Sequence, residues 1–267
     1  MENARRYVLA LLITPFAIGL RLAQADITNV RPVGVSGTAL QDALNDVTQR
    51  DQNGDLRGGI DVVNDQSPFA IFHNTSSGAS VATMVVEVAS YATYADNRFG
   101  LYDYYDPTNR IAIYDEDVAQ GTQRLISFAA DGKVFVNGSW VGTFPESPLR
   151  FGFYLEVYTS DGNPDSLDYT RYTQDCLNVD AYLKDGPGGP AALVYRGDEE
   201  TMLTIPPWHP GLFTSNEWIV AFEDADDGDF ADMVVLVESI SPLPAPGAVV
   251  LGMIGVGLVG WVRKRGA

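Results

Sequence analysis

Trp218-Ile219-Val220-Ala221-Phe222, then Glu223-Asp224-Ala225-Asp226-Asp227-Gly228-Asp229-Phe230-Ala231-Asp232, then Met233-Val234-Val235-Leu236-Val237: two apolar runs flank ten residues that hold six carboxylates. The runs are short and rich in β-branched and aromatic side chains, as buried strands are, and the acidic stretch is the turn between them. Six carboxylates gathered in one turn repel one another if nothing compensates them. Calcium takes six to eight oxygens at about 2.3–2.6 Å, and a turn between two strands can bring side-chain and carbonyl oxygens to one point. Glu223, Asp224, Asp226, Asp229 and Asp232 are therefore the first candidates for metal ligands, with Ca2+ as the cofactor. The spacing is not that of an EF-hand. A solvated acidic hairpin that keeps a sheet edge soluble is the competing reading.

Outward from this hairpin the period of two persists. Strands are expected at Val81 to Val88, Arg110 to Tyr114, Arg124 to Phe128, Lys133 to Val136, Trp140 to Phe144, Phe151 to Thr159 and Ala191 to Arg196. Asp131-Gly132 and Asn137-Gly138 supply the positive φ of tight hairpin turns. One helix is expected near the start, where Leu40, Ala43, Leu44 and Val47 recur at helical spacing and Ser36 or Thr38 can cap it. At least nine short strands, with no GxGxxG, no Walker loop and no strand–helix alternation, predict an all-β fold: a jelly-roll-like β-sandwich with one short N-terminal helix. Pro145-Glu146-Ser147-Pro148 suggests a division into residues 26–148, an N-terminal β-rich region, and residues 149–240, a second β domain.

Composition narrows the function. The 267 residues carry 17 Lys and Arg against 35 Asp and Glu, a formal net charge of −18, and 46% of them are hydrophobic. Such a charge repels the nucleic-acid backbone, so DNA and RNA are not expected partners. A single cysteine makes no internal disulfide, and two histidines leave little material for zinc or His-based catalysis.

Both ends read as export addresses. Arg5 and Arg6 precede an apolar run from Tyr7 to Leu20, and Ala23-Gln24-Ala25 follows: the three parts of a signal peptide spanning 1–25, to be cut after Ala25 by signal peptidase. At the other end, residues 247–262 are uncharged and lead into Arg263-Lys264-Arg265. As a helix these 16 residues reach about 24 Å, short of the roughly 30 Å hydrocarbon core. The glycines, the lack of a polar face, Trp261 at the interface and the basic cluster nonetheless make a transmembrane helix the expected state, with the basic ends in the cytoplasm. Six of the 17 basic residues and one of the 35 acids lie in these two end segments, which leaves 11 against 34, a net charge of −23 for the part between. A surface so acidic attracts divalent cations.

The proline-rich Pro244-Ala245-Pro246, the glycine-rich span from Leu251 to Leu258 and the terminal Arg263, Lys264 and Arg265 together resemble the PEP-CTERM sorting signal of exported bacterial proteins, covering residues 241–267. Ala245 stands where that family usually has glutamate. The resemblance implies an exosortase-type sorting enzyme as a partner, an inner-membrane-anchored intermediate, and release to the cell surface or extracellular matrix, where exopolysaccharide is a further possible partner. Trp218 to Asp224 followed by Asp229 to Val235, with Phe151 to Leu155, Leu177 to Asp180 and Ala191 to Tyr195 upstream, is similar to the DUF4114 family, over about Leu149 to Glu238. Ala231 occupies the family's usual asparagine position. This likeness implies an extracellular bacterial location and a calcium-binding loop, and no reaction.

Other candidates are weaker. Asp51-Gln52-Asn53-Gly54-Asp55 places oxygens of Asp51, Asn53 and Asp55 as calcium loops begin, but Leu56 replaces the glycine and Val62 the closing acid. A plain turn accounts for it, as for Asp161 to Asp165. His73 and His209 are far apart in sequence, and no Ser, His, Asp arrangement stands out. Cys176 is expected to be small and buried. Tyr102, Tyr104 and Tyr105 read as core or cross-strand residues. The expected function is thus a non-enzymatic, calcium-stabilised envelope or matrix protein with no catalytic residues. The alternative is a secreted carbohydrate-binding or glycan-hydrolysing module, which a concave groove lined by Trp140, Trp208 or Trp218 favours.

Overall fold

Fifteen strands and one α-helix make up the described part of the computed structural model, which covers residues 40–48, 59–75, 80–87, 96–114, 118–145, 149–158, 167, 169–178, 189–224 and 228–243. In chain order they are α1 (Leu40–Val47), β1 (Phe72–Asn74), β2 (Ser80–Glu87), β3 (Asp96–Asp103), β4 (Arg110–Tyr114), β5 (Gln123–Phe128), β6 (Lys133–Val136), β7 (Ser139–Thr143), β8 (Phe151–Tyr158), β9 (Tyr169–Tyr172), β10 (Ala192–Arg196), β11 (Met202–Leu203), β12 (Gly211–Leu212), β13 (Trp218–Phe222), β14 (Met233–Val237) and β15 (Ile240–Pro242), with a 3-10 turn at Asp175–Leu177. The fold is all-β, as expected, and all its pairings are antiparallel.

One sheet runs β15-β1-β8-β3-β4, with β9 also paired to β8; a second runs β10-β13-β14-β2-β5-β6-β7; β11 and β12 form a small hairpin. Both large sheets take strands from before and after residue 148, and the described residues all fall in the single unit Asp26–Leu243. The division expected at 148/149 does not separate the sheets: β8 pairs with β3 along its whole length, and β14 pairs with β2.

The sheets pack face to face through aromatic side chains. Phe99 of β3 meets Phe222 of β13 edge-on at 6.1 Å, Phe72 of β1 meets Trp218 at 5.1 Å, and Phe128 of β5 stacks on Phe151 of β8 at 5.2 Å. Such pairs add about 0.5–1.5 kcal/mol each beyond the area they bury. This is a β-sandwich-like core.

The second sheet is buried on its other face too. On β13, Trp218, Val220 and Phe222 enter the inter-sheet core, while Ile219 and Ala221 enter another core with Leu40, Leu44 and Val47 of α1. β14 repeats the pattern, Met233, Val235 and Val237 inward and Val234 and Leu236 outward. Uninterrupted apolar runs follow from burial on both faces, which an antiparallel strand shows when another layer covers its outer side. The helix is part of that cover, together with Ile60, Val62, Leu203, Ile205 and Phe213. Its apolar positions share one face, and Gln41 ties it down by donating from Nε2 to Ile60 O at 2.8 Å and accepting from Val62 N at 3.2 Å. The two expected hairpin turns form between β5, β6 and β7, with Gly132, Asn137 and Gly138 all at positive φ. Among the described residues no helix is long and apolar enough to cross a membrane. The segment 247–262, the signal segment 1–25, and the cap candidates Ser36 and Thr38 lie outside them.

Candidate metal centre

The acidic turn is anchored at both ends by the strands it joins. β13 and β14 pair from Trp218↔Val237 to Phe222↔Met233, so Glu223 and Asp232 emerge opposite each other at the same end of the hairpin. Between them the chain turns back through Gly228 and Phe230, both in the left-handed region at φ +80° and +56°. Phe230 and Ala231 are buried in the core under α1. A non-glycine residue at positive φ is uncommon, and here the burial of the Phe230 ring holds it. That insertion pulls the acidic residues on either side inward.

Glu223, Asp229 and Asp232 are each only 1% exposed, and each offers a carboxylate oxygen within 4.8 Å of those of the other two. Oxygens that share a calcium ion lie at most about 5.2 Å apart, twice the metal–oxygen distance, so the spacing fits one ion. The carboxylates are oriented by the loop's own backbone. Phe230 N donates to Glu223 Oε2 at 3.1 Å, Ala231 N to Asp229 Oδ1 at 2.8 Å, and Asp224 N to Asp232 Oδ2 at 2.7 Å. A carboxylate has about four acceptor sites, so a backbone hydrogen bond and a cation can share one group.

Electrostatics gives the grouping its meaning. Two unit charges 4.8 Å apart repel by about 3.5 kcal/mol at an effective dielectric of 20. Three ionised carboxylates carry three such pairs. A cation placed between them would offset this repulsion.

Asp224 stands next to the group and turns toward the other sheet. Its Oδ2 accepts from Asn97 Nδ2 of β3 at 3.1 Å, and its carbonyl oxygen accepts from the Tyr169 hydroxyl of β9. Of the five residues expected at this site, the structure brings Glu223, Asp229 and Asp232 together, gives Asp224 to the junction between sheets, and leaves Asp226 outside the described residues. Asp51, Asn53 and Asp55 also lie outside them, as do Ala23 and Ala25 of the cleavage motif and Pro244, Ala245, Pro246, Arg263, Lys264 and Arg265 of the sorting motif. Asn97, 1% exposed, was not expected here. It is more than 120 residues upstream in a charged stretch, and only the packing of β3 against the hairpin brings it close.

The remaining sequence candidates separate cleanly. Cys176 is exposed, contrary to the expectation of burial, because it occupies the outer side of the 3-10 turn while Asp175 before it is buried. Tyr102 is fully buried and its hydroxyl donates to Gln174 Oε1 at 2.9 Å, whereas Tyr105 is exposed. Trp218 is fully buried, Trp140 is 63% exposed on the edge strand β7, and Trp208 is 46% exposed and lines a cleft.

No family model, no curated protein and no solved structure matches the chain.

Proposed function

We propose that the chain is a non-enzymatic protein of the bacterial cell envelope or extracellular matrix, stabilised by calcium bound through Glu223, Asp229 and Asp232. The observation that carries this reading is the burial of those three carboxylates within 4.8 Å of one another in a single hairpin turn. A turn whose acids served only solubility would display them to water. Calcium suits the donor set, which is all oxygen, and suits millimolar concentrations outside the cell. In this reading the signal segment 1–25 is removed by signal peptidase. Residues 247–262 hold an anchored intermediate in the inner membrane, and the PEP-CTERM-like tail hands the body to an exosortase-type enzyme for release. The DUF4114-like and jelly-roll-like character of the body belongs to the same reading.

Two measurements test it. Melting in calcium should exceed melting in chelator, because a ligand that binds only the native state stabilises it by RT ln(1 + [L]/Kd), about 2.7 kcal/mol at a hundredfold excess over Kd. For a chain of this size that corresponds to roughly 5–10 °C. Coincident melting curves would remove the metal from the proposal. Intact-mass measurement of the protein recovered from its envelope tests the export half, which requires a new N-terminus at Asp26 and loss of the C-terminal segment; retention of both ends would overturn it.

A further inference from the structure

We propose that a cleft on the outer face of the seven-stranded sheet, roofed by the β11–β12 hairpin and edged by Trp208, binds a pyranose unit of a neutral polysaccharide.

The cleft is shallow and opens to solvent, a surface for one ring of a longer chain and not an enclosed pocket. Its floor is built from three adjacent strands. Leu236 of β14 pairs with Thr83 of β2, and Thr83 pairs with Gln123 of β5, so the three side chains stand in a row on one face. Gln123 Nε2 donates to Thr83 Oγ1 at 3.1 Å, which fixes the amide in place. Leu203 and Ile205 close the apolar side beneath the hairpin. The result is one wall of hydrocarbon and one of hydroxyl and amide.

Trp208 is a platform set in advance. Its Nε1 donates to Gly121 O at 2.6 Å and its backbone N to Ile205 O at 2.8 Å, yet nearly half of the residue stays exposed. The loop before β5 can reach it only because residue 121 is glycine. Its φ is +79°, and a Cβ there would lie 1.8 Å from Pro206 O. An indole already held in place loses little freedom when a ligand lies on it.

The ligand class follows from what lines the site. Glu217 and Glu238 lie on its border, and no Lys or Arg is among its described lining residues. Anionic ligands are therefore repelled. Burial raises the carboxyl pKa of both glutamates above the ordinary range, and the charge of Glu217 raises that of Glu238 further. Glu217 Oε2 is already engaged by Thr214 N at 2.6 Å, and a carboxylate beside it accepts hydrogen bonds from hydroxyl groups. A neutral ring with one apolar C–H face for the indole and a rim of hydroxyls for Thr83, Gln123 and Glu238 satisfies every wall. A pyranose has that form. The cleft involves none of the metal-centre residues, so the proposal stands apart from the calcium reading.

Affinity electrophoresis of the full chain tests it, through gels holding dextran, glycogen, laminarin, xyloglucan or galactomannan, each run in calcium and in chelator. Retardation is expected in at least one neutral polysaccharide. Trp208→Ala should weaken it roughly tenfold or more, Trp208→Phe should retain most of it, and Glu238→Gln should weaken it without lowering the melting temperature. Tetramethylammonium and polygalacturonate should not compete. No retardation in any of the five gels, binding unchanged in Trp208→Ala, or competition by the cation or the polyanion would each overturn the proposal. Loss of binding in chelator alone would point to the metal centre as the sugar site and would overturn it as well.

Discussion

Asn97 Nδ2 donates to Asp224 Oδ2 at 3.1 Å, and both residues are 1% exposed. The amide comes from β3 of one sheet and the carboxylate from the turn that follows β13 of the other, so the acidic hairpin is fastened to the sandwich at the point where it leaves the core. Tyr169 of β9 adds a second fastening on the Asp224 carbonyl. The loop that presents Glu223, Asp229 and Asp232 is thereby fixed at its root by one sheet and at its tip by Phe230 in the core under α1.

Removing the amide should be costly. Asn97→Ala withdraws a donor from a buried carboxylate and should destabilise the fold by about 1–3 kcal/mol. Asn97→Asp places a second carboxylate against Asp224 and should cost more. Urea denaturation of both variants checks the order, and equal midpoints for wild type and Asn97→Ala would count against the fastening.

The inter-sheet core should respond to truncation far more than the exposed sheet surface does. Phe99 touches Tyr114, Phe153 and Phe222 from three strands, so Phe99→Ala should cost about 3–5 kcal/mol. Leu125 on β5 is 48% exposed, and Leu125→Ala should stay within about 0.5 kcal/mol of wild type. Paired thermal melts measure the contrast.

Glu238 gives a pH dependence with a definite sign. Burial raises its carboxyl pKa in the folded state, with the charge of Glu217 adding to the rise. Between the unfolded and folded values the native state binds the extra proton, so this group's contribution is fully present below the ordinary glutamate value of 4.5 and is lost as pH climbs through the folded value. Glu238→Gln should therefore raise the melting temperature at neutral pH, with the gain fading in acid. A gain that grew on acidification would reverse the assignment.

How much of this was legible in the sequence depended on local pattern. β10, β13 and β14 were readable because burial on both faces leaves no polar interruption, and the turns at Gly132 and Gly138 because positive φ has its own residue chemistry. β1, β9, β11 and β12 span two to four residues, too few for a period to emerge. β3 hid for another reason: Asp96-Asn97-Arg98-Phe99-Gly100 looks polar and broken, yet Asn97 is buried against Asp224 and Gly100 packs under Tyr154, where a Cβ would lie 2.6 Å from the ring. The acidic turn announced itself, but not the fact that Phe230 and Ala231 sink into the core and carry the carboxylates with them. Nor could sequence separation tell that β8 would lie beside β3, across the expected boundary. Long-range pairing is decided by the whole sheet, not by the residues that form it.

Calcium titration of the full chain by isothermal calorimetry, in wild type and in Glu223→Gln and Asp232→Asn, tests the central claim most directly. One site should be saturable in wild type at millimolar calcium or below, and each variant should lose it while keeping a cooperative melt in the absence of metal. Identical calcium isotherms in all three proteins, or none in any, would contradict it.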